Sequence, residues 1–225
     1  MGEDSSKEII GNVLKMFFED YKKIYLFYTI MIILLTLTSI ILFIDNSLVN
    51  VFELSIANPF GIILSLFVQN SLPGLAVNIF STYLIIFAFT SSSALLKSYN
   101  LSLKNDFSKY FILSPILSSI LSNLLTYLIL TIYNLDYVNI LGSHVLIQSL
   151  IGLTSTILFY MFLTLKGYKK IFYPILLTIV AAITLYIIYG IQVLGLGAFM
   201  FDFQKFSSLI FGLLSGAIFA KLKFD

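Results

Sequence analysis

The chain has no cysteine, no arginine and no tryptophan, and a single histidine in 225 residues. Without cysteine there is no disulfide, no thiolate nucleophile and no thiolate-held metal. Without arginine there is no planar fork to grip a phosphate or carboxylate through two hydrogen bonds. All thirteen basic residues are lysines. His144 has no second histidine and no EXXH pattern beside it, so neither a metal site nor a resident cofactor is expected. Charge is scarce too, at 11% of residues and a net +2. That is too little to hold nucleic acid, whose binding rests on many phosphate contacts. No phosphate-loop or dinucleotide glycine fingerprint is present.

Apolar residues are what the chain does have: 59% of it, with a mean hydropathy of +1.01. A water-soluble domain of this length could hardly cover so much apolar surface. The expected class is therefore an all-α, polytopic protein of the cell membrane, with the lipid bilayer as its first partner. Apolar runs predict six transmembrane helices, at about 24–44, 75–96, 111–133, 141–165, 171–193 and 206–220. Residues 24–225 form the membrane domain. Residues 1–23 carry both signs of charge and no cleavable leader pattern. Ser5 and Glu8 fit a capping box, and Ile9, Ile10, Val13, Leu14, Phe17 and Phe18 recur at helical spacing. This stretch is expected to be a cytoplasmic amphipathic helix on the membrane surface.

Lysine placement sets the orientation. Lys7, Lys15, Lys22 and Lys23 precede the first crossing. Lys97, Lys104 and Lys109 follow the second, Lys166, Lys169 and Lys170 the fourth, and Lys221 and Lys223 the sixth. Only Lys205 falls on the other side, in a Gly-rich loop with Asp202. The positive-inside rule puts both termini in the cytoplasm. Between the first two crossings, Ile62 to Val68 is apolar but too short to span. Pro59, Gly61, Pro73 and Gly74 interrupt its surroundings, so it is expected to lie half-inserted, with protein covering its backbone.

No Asp, Glu or Lys falls inside any crossing, which weighs against ion-coupled transport and proton pumping. The third crossing holds Ser114, Ser118, Ser119, Ser122 and Asn123, a helix-contact set rather than a lipid-facing one. The fourth run, Leu141 to Leu165, reads as the organising stretch. In it Gln148, Gly152 and Ser155 share a face at i, i+4 and i+7. Close packing through Gly152 explains such a face, and a site is the sharper reading. Gly212 and Gly216 make a small-residue face on the sixth crossing.

The order of elements resembles a rhomboid, an intramembrane serine protease family: six helices, both ends inside, and a half-inserted first outer loop. The segment Asn58 to Asn78 resembles the family's entry into its second helix. There the family's two histidine positions are held by Gln69 and Gly74, and its asparagine is matched by Asn78. The family's Gly-x-Ser-Gly falls on Gly152, Leu153, Thr154 and Ser155, so Thr154 takes the nucleophile position. The glycines of its last motif are matched by Gly212 and Gly216, and Leu209 stands where the base histidine would be. A more distant likeness, through Phe67 to Leu75, is to stage-II-sporulation-M-like membrane proteins, and it leaves Gly212 and Gly216 unexplained.

The resemblance implies a scaffold without its catalytic pair. A hydroxyl is a weak nucleophile until a base takes its proton, and leucine cannot take one. His144 lies eleven residues from Ser155, about 16 Å along a helix at 1.5 Å per residue. The expected function is that of a pseudoprotease, which binds or escorts transmembrane helices of client proteins. Gln69, Asn78, Gly152, Thr154, Ser155, Leu209, Gly212 and Gly216 would be its helix-binding positions. Three other readings stay open: a structural subunit of a membrane complex, a divergent active intramembrane protease, and a permease or channel for a neutral solute.

Overall fold

The computed structural model describes residues 3–69, 71–98, 107–136, 138, 140–164 and 196–224. In chain order the elements are α1 (Glu3–Ile44), a 3-10 turn (Asn46–Leu48), α2 (Val49–Phe52), α3 (Gly61–Leu64), a second 3-10 turn (Ser65–Phe67), α4 (Leu72–Ser98), α5 (Phe107–Ile132), α6 (His144–Thr164) and α7 (Leu196–Phe224). Among the described residues there is no strand, only the isolated bridges Leu54–Ile140 and Ser55–Asn58. Among the described residues, four helices are long and apolar enough to cross a membrane: Tyr21–Ile44, Leu72–Ser91, Ser108–Ile132 and Phe199–Lys221. His144–Tyr160 is a shorter apolar helix. The crossing expected at 171–193 lies outside the described residues.

Two boundaries differ from expectation, each for a local reason. No Gly or Pro stands between Asn12 and Ile44. The helix therefore runs unbroken from Glu3 instead of stopping near residue 23. The last helix starts at Leu196, ten residues before the apolar run. Asp202 and Lys205, expected in a loop, sit one turn apart on α7 and pair at 3.4 Å. At the start of α4, Pro73 and Gly74 occupy the first turn. There proline's missing N–H costs nothing, and the Ser71 hydroxyl accepts from the Gly74 N–H at 3.2 Å as an N-cap. α5 ends on Asn134 in the left-handed region (φ 51°). A Leu135 N–H to Leu130 O bond of 2.9 Å closes that end.

α6 is the central helix. Every residue from Gly142 to Thr154 is buried, which explains an apolar sequence with no amphipathic stripe. α6 and α7 run parallel: Ser149 bonds Ser208 and, further along both helices, Thr156 bonds the Leu213 carbonyl. They touch backbone to backbone. A Cβ on Gly152 would stand 2.4 Å from the Leu209 carbonyl oxygen, and one on Gly212 would stand 2.3 Å from that of Ser149. α5 lies antiparallel to both, joined through Ser119–Ser149 at 2.9 Å and Ser122–Ser207 at 2.6 Å. Its outer face is a stripe of exposed Leu113, Leu117, Leu121, Leu124, Leu128 and Ile132.

α1 and α4 close the other side. Pro115, inside α5, has no N–H to offer the Phe111 carbonyl one turn back. The Tyr28 hydroxyl, fully buried on α1, donates to that carbonyl at 3.0 Å. Tyr28 also meets Phe111 edge to face, and Phe89 of α4 stacks on Phe111 at 4.6 Å. This cluster lies at the end that carries Lys22, Lys23, Lys109 and Lys221. A second apolar cluster, with Leu54, Leu130, Val138, Ile140 and Met200, lies at the opposite end.

Candidate functional site

The eight positions singled out in the sequence do not gather at one point. Asn78, buried on α4, donates through Nδ2 to the Ser143 hydroxyl at 2.5 Å. Ser143 immediately precedes α6, whereas Thr154 lies eleven residues on, about three turns and 16 Å deeper. The buried Thr154 hydroxyl donates to the Leu150 carbonyl at 2.6 Å. Ser155 Oγ is buried without a hydrogen-bond partner. Leu209 packs against the apolar core at the Gly152 crossing. Gln69 binds the Ser39 hydroxyl through its backbone N–H at 3.0 Å. Its side-chain amide lies over Gly74, where a Cβ would come within 2.0 Å of Nε2. Gly152, Gly212 and Gly216 all serve the α6–α7 contact.

A polar chain at the Asp45 end, several members of which carry no motif, links five elements. Asn123 Nδ2 donates to the Ile62 carbonyl at 2.8 Å and to Ser65 Oγ at 3.1 Å. Its Oδ1 accepts from Gln204 Nε2 at 2.6 Å. Gln204 Oε1 then faces His144 Nε2 at 3.2 Å. A carbonyl can only accept, so Ile62 sets the direction of the whole chain and places a proton on His144 Nε2. The His144 ring lies 4.1 Å from the Phe201 ring, and Lys205 Nζ sits 4.1 Å from the centroid of the same ring. All three polar side chains are buried, so each bond lies where water cannot replace it. His144 is thus held by Gln204 and Phe201, and its Nδ1 rests against Gly142, not against any hydroxyl of the central helix.

The segment between α1 and α4 is docked on this end. Leu54 and Ile140 exchange both backbone bonds, at 2.8 and 3.1 Å. Asn58 Nδ2 reaches the carbonyls of Asn50, Val51 and Glu53, at 3.1, 2.9 and 2.9 Å. Glu53 itself is buried, and desolvation holds its carboxyl above the usual glutamate range. Further on, the Ser143 N–H donates to the Val68 carbonyl at 3.1 Å, and the Thr38 hydroxyl donates to the Phe67 carbonyl.

Beneath the loop a small cleft opens between α1, α4 and the start of α6. Met31, Ile32 and Leu35 of α1, Leu66 and Phe67 of the 3-10 turn, and Leu146 and Ile147 of α6 give it apolar walls. Tyr28, Thr82 and Ser143 complete the lining. The Asn78 amide is the donor in its bond with Ser143, so the Ser143 hydroxyl proton is free for another acceptor. Among the described residues, no group of three His, Cys, Asp or Glu side chains is placed to hold a metal.

Membrane-length apolar helices around a buried, hydrogen-bonded centre define a helical membrane protein. No protein-family model, curated protein or solved structure matches the chain.

Proposed function

We propose that this chain is a six-crossing, rhomboid-like membrane protein that binds transmembrane segments of other proteins without cleaving them. The cleft beside Ser143 carries this reading. In hydrocarbon a polar atom on a passing helix has no water to bond, so a wall offering a hydroxyl donor is selective for it. Such a bond between helices contributes about 0.6 kcal/mol on average. The cleft has a cavity volume of about 20 Å³, room for one water-sized group. It therefore suits the small side chain of an Ala- or Ser-bearing helix and rejects an aromatic one.

Three observations support the remaining parts. α6 and α7 are parallel and begin at the same end. Crossings four and six run in the same direction in the six-crossing layout expected from the sequence, as α6 and α7 do here. The exposed Lys22, Lys23, Lys109 and Lys221 mark one end, and Asp45, Asp136 and Asp202 mark the other, which favours cytoplasmic termini. Hydrolysis is disfavoured because the hydroxyl of Thr154 is spent on Leu150, Leu209 is apolar and His144 faces Gln204.

Photo-crosslinking in native membranes tests the binding reading. A photoreactive residue at Ile32, in the cleft wall, should capture single-span proteins. The same group at Leu37, which is 54% exposed, should capture chiefly lipid. Identical adducts from both positions would overturn it.

A further inference from the structure

We propose that residues 61–66 form a flap over this cleft, latched shut by Asn123. The inference rests on the reading of the cleft as a binding site, and it adds how access to that site is controlled. Leu66 forms part of the cleft wall, beside the fixed Phe67, so moving this segment opens the cleft. Both ends of the segment are fixed. Upstream, Leu54 is bridged to Ile140, and Asn58 caps three carbonyls. Downstream, Phe67, Val68 and Gln69 are bonded to Thr38, Ser143 and Ser39.

Between these anchors the segment's backbone bonds are local to itself, from Gly61 to Asn58, Ile62 to Pro59, and Ile63 and Leu64 to Phe60. The side-chain hydrogen bonds described for Gly61–Leu66 both come from Asn123. Ile63, on the outer face of the segment, is 53% exposed, so among the described residues lifting meets no covering element there. Gln204 and His144 fix which way the Asn123 amide points. They are positioning residues of the latch. The state of the α6–α7 contact is thereby coupled to the flap.

The absence of cysteine makes a single introduced thiol an unambiguous reporter. Ser143→Cys sits in the cleft and Phe60→Cys on the exposed surface. Their rates of reaction with N-ethylmaleimide, taken as a ratio, report opening. A hydrogen bond between membrane side chains shifts an equilibrium by about threefold. Asn123→Leu, which removes both latch bonds, should raise the ratio about tenfold, and Ser65→Val, which removes one, about threefold. An unchanged ratio in a folded Asn123→Leu protein overturns the latch. Should that variant fail to fold, an unchanged ratio in Ser65→Val does the same. A second arm separates the flap from the binding reading. In the Ser65→Cys/Asn123→Cys protein, oxidation should abolish client adducts from residue 32 and reductant should restore them. Adducts that persist in the oxidised form refute control by the flap. A complete lack of adducts in both forms counts against the binding reading and leaves the maleimide result to decide the latch.

Discussion

The contact between Tyr28 and the proline-bearing turn of α5 yields a quantitative prediction. Pro115 deprives the Phe111 carbonyl of its helical donor, and the Tyr28 hydroxyl supplies one at 3.0 Å from a neighbouring helix. Tyr28→Phe keeps the ring, its edge-to-face contact with Phe111 and nearly all of the packing. What it removes is a donor to a buried carbonyl, which costs about 1–3 kcal/mol. In a Pro115→Ala background the new N–H of residue 115 can close the helical bond instead. The same Tyr28→Phe substitution should then cost about 0.5 kcal/mol or less, because the carbonyl keeps a partner. Reversible unfolding in mixed micelles, followed by circular dichroism, gives the four free energies of the cycle. The coupling should therefore be at least about 0.5 kcal/mol. A Tyr28→Phe cost that is the same with and without the proline would refute the reasoning.

Further outcomes follow from the same contacts. Gly212→Ala should destabilise by about 1–3 kcal/mol in the same unfolding assay, because its Cβ meets the Ser149 backbone and overpacking outweighs the helical preference for alanine. Gln204→Leu should cost about 2–4 kcal/mol, since it strands buried groups on both Asn123 and His144. Glu53 gives a pH effect of defined sign. Burial raises its folded pKa above the ordinary 4.5. Its carboxyl therefore supports the fold fully below that value, and this support is lost as pH rises through the raised folded pKa. Glu53→Gln should remove that decline and raise stability at neutral pH, as read from unfolding midpoints at pH 4 and pH 7.

Three crossings were legible because lipid leaves only charge and length to mark a helix end. Stretches expected at 24–44, 75–96 and 111–133 are found in Tyr21–Ile44, Leu72–Ser91 and Ser108–Ile132. The start of α7 was hidden by its chemistry. Asp202 and Lys205 read as loop residues, yet they neutralise each other on one helical turn, and Lys205 lies over Phe201. Gln204, the hub of the buried chain, was missed with them. Met200, Gln204 and Ser208 at i, i+4 and i+8 continue the face of Gly212 and Gly216, and that spacing could have extended the helix backward. The pairing of Asn78 with Ser143 was not legible at all. It depends on how α4 meets the start of α6, which no periodicity within either segment encodes. Motif spacing placed the Gly152–Ser155 turn opposite Leu209, whereas the amide of Asn78 lies three turns away.

The most direct measurement uses labelled transmembrane peptides in proteoliposomes with the purified protein. Energy transfer would report binding, and mass spectrometry would report whether the peptide stays whole. A polyleucine helix with one central serine should bind more tightly than polyleucine alone. It should lose that advantage when Ile147→Phe fills the cleft, and it should remain intact throughout. Equal binding of both peptides, indifference to Ile147→Phe, or any cleavage of the serine peptide would contradict a cleft that recognises membrane helices without cutting them.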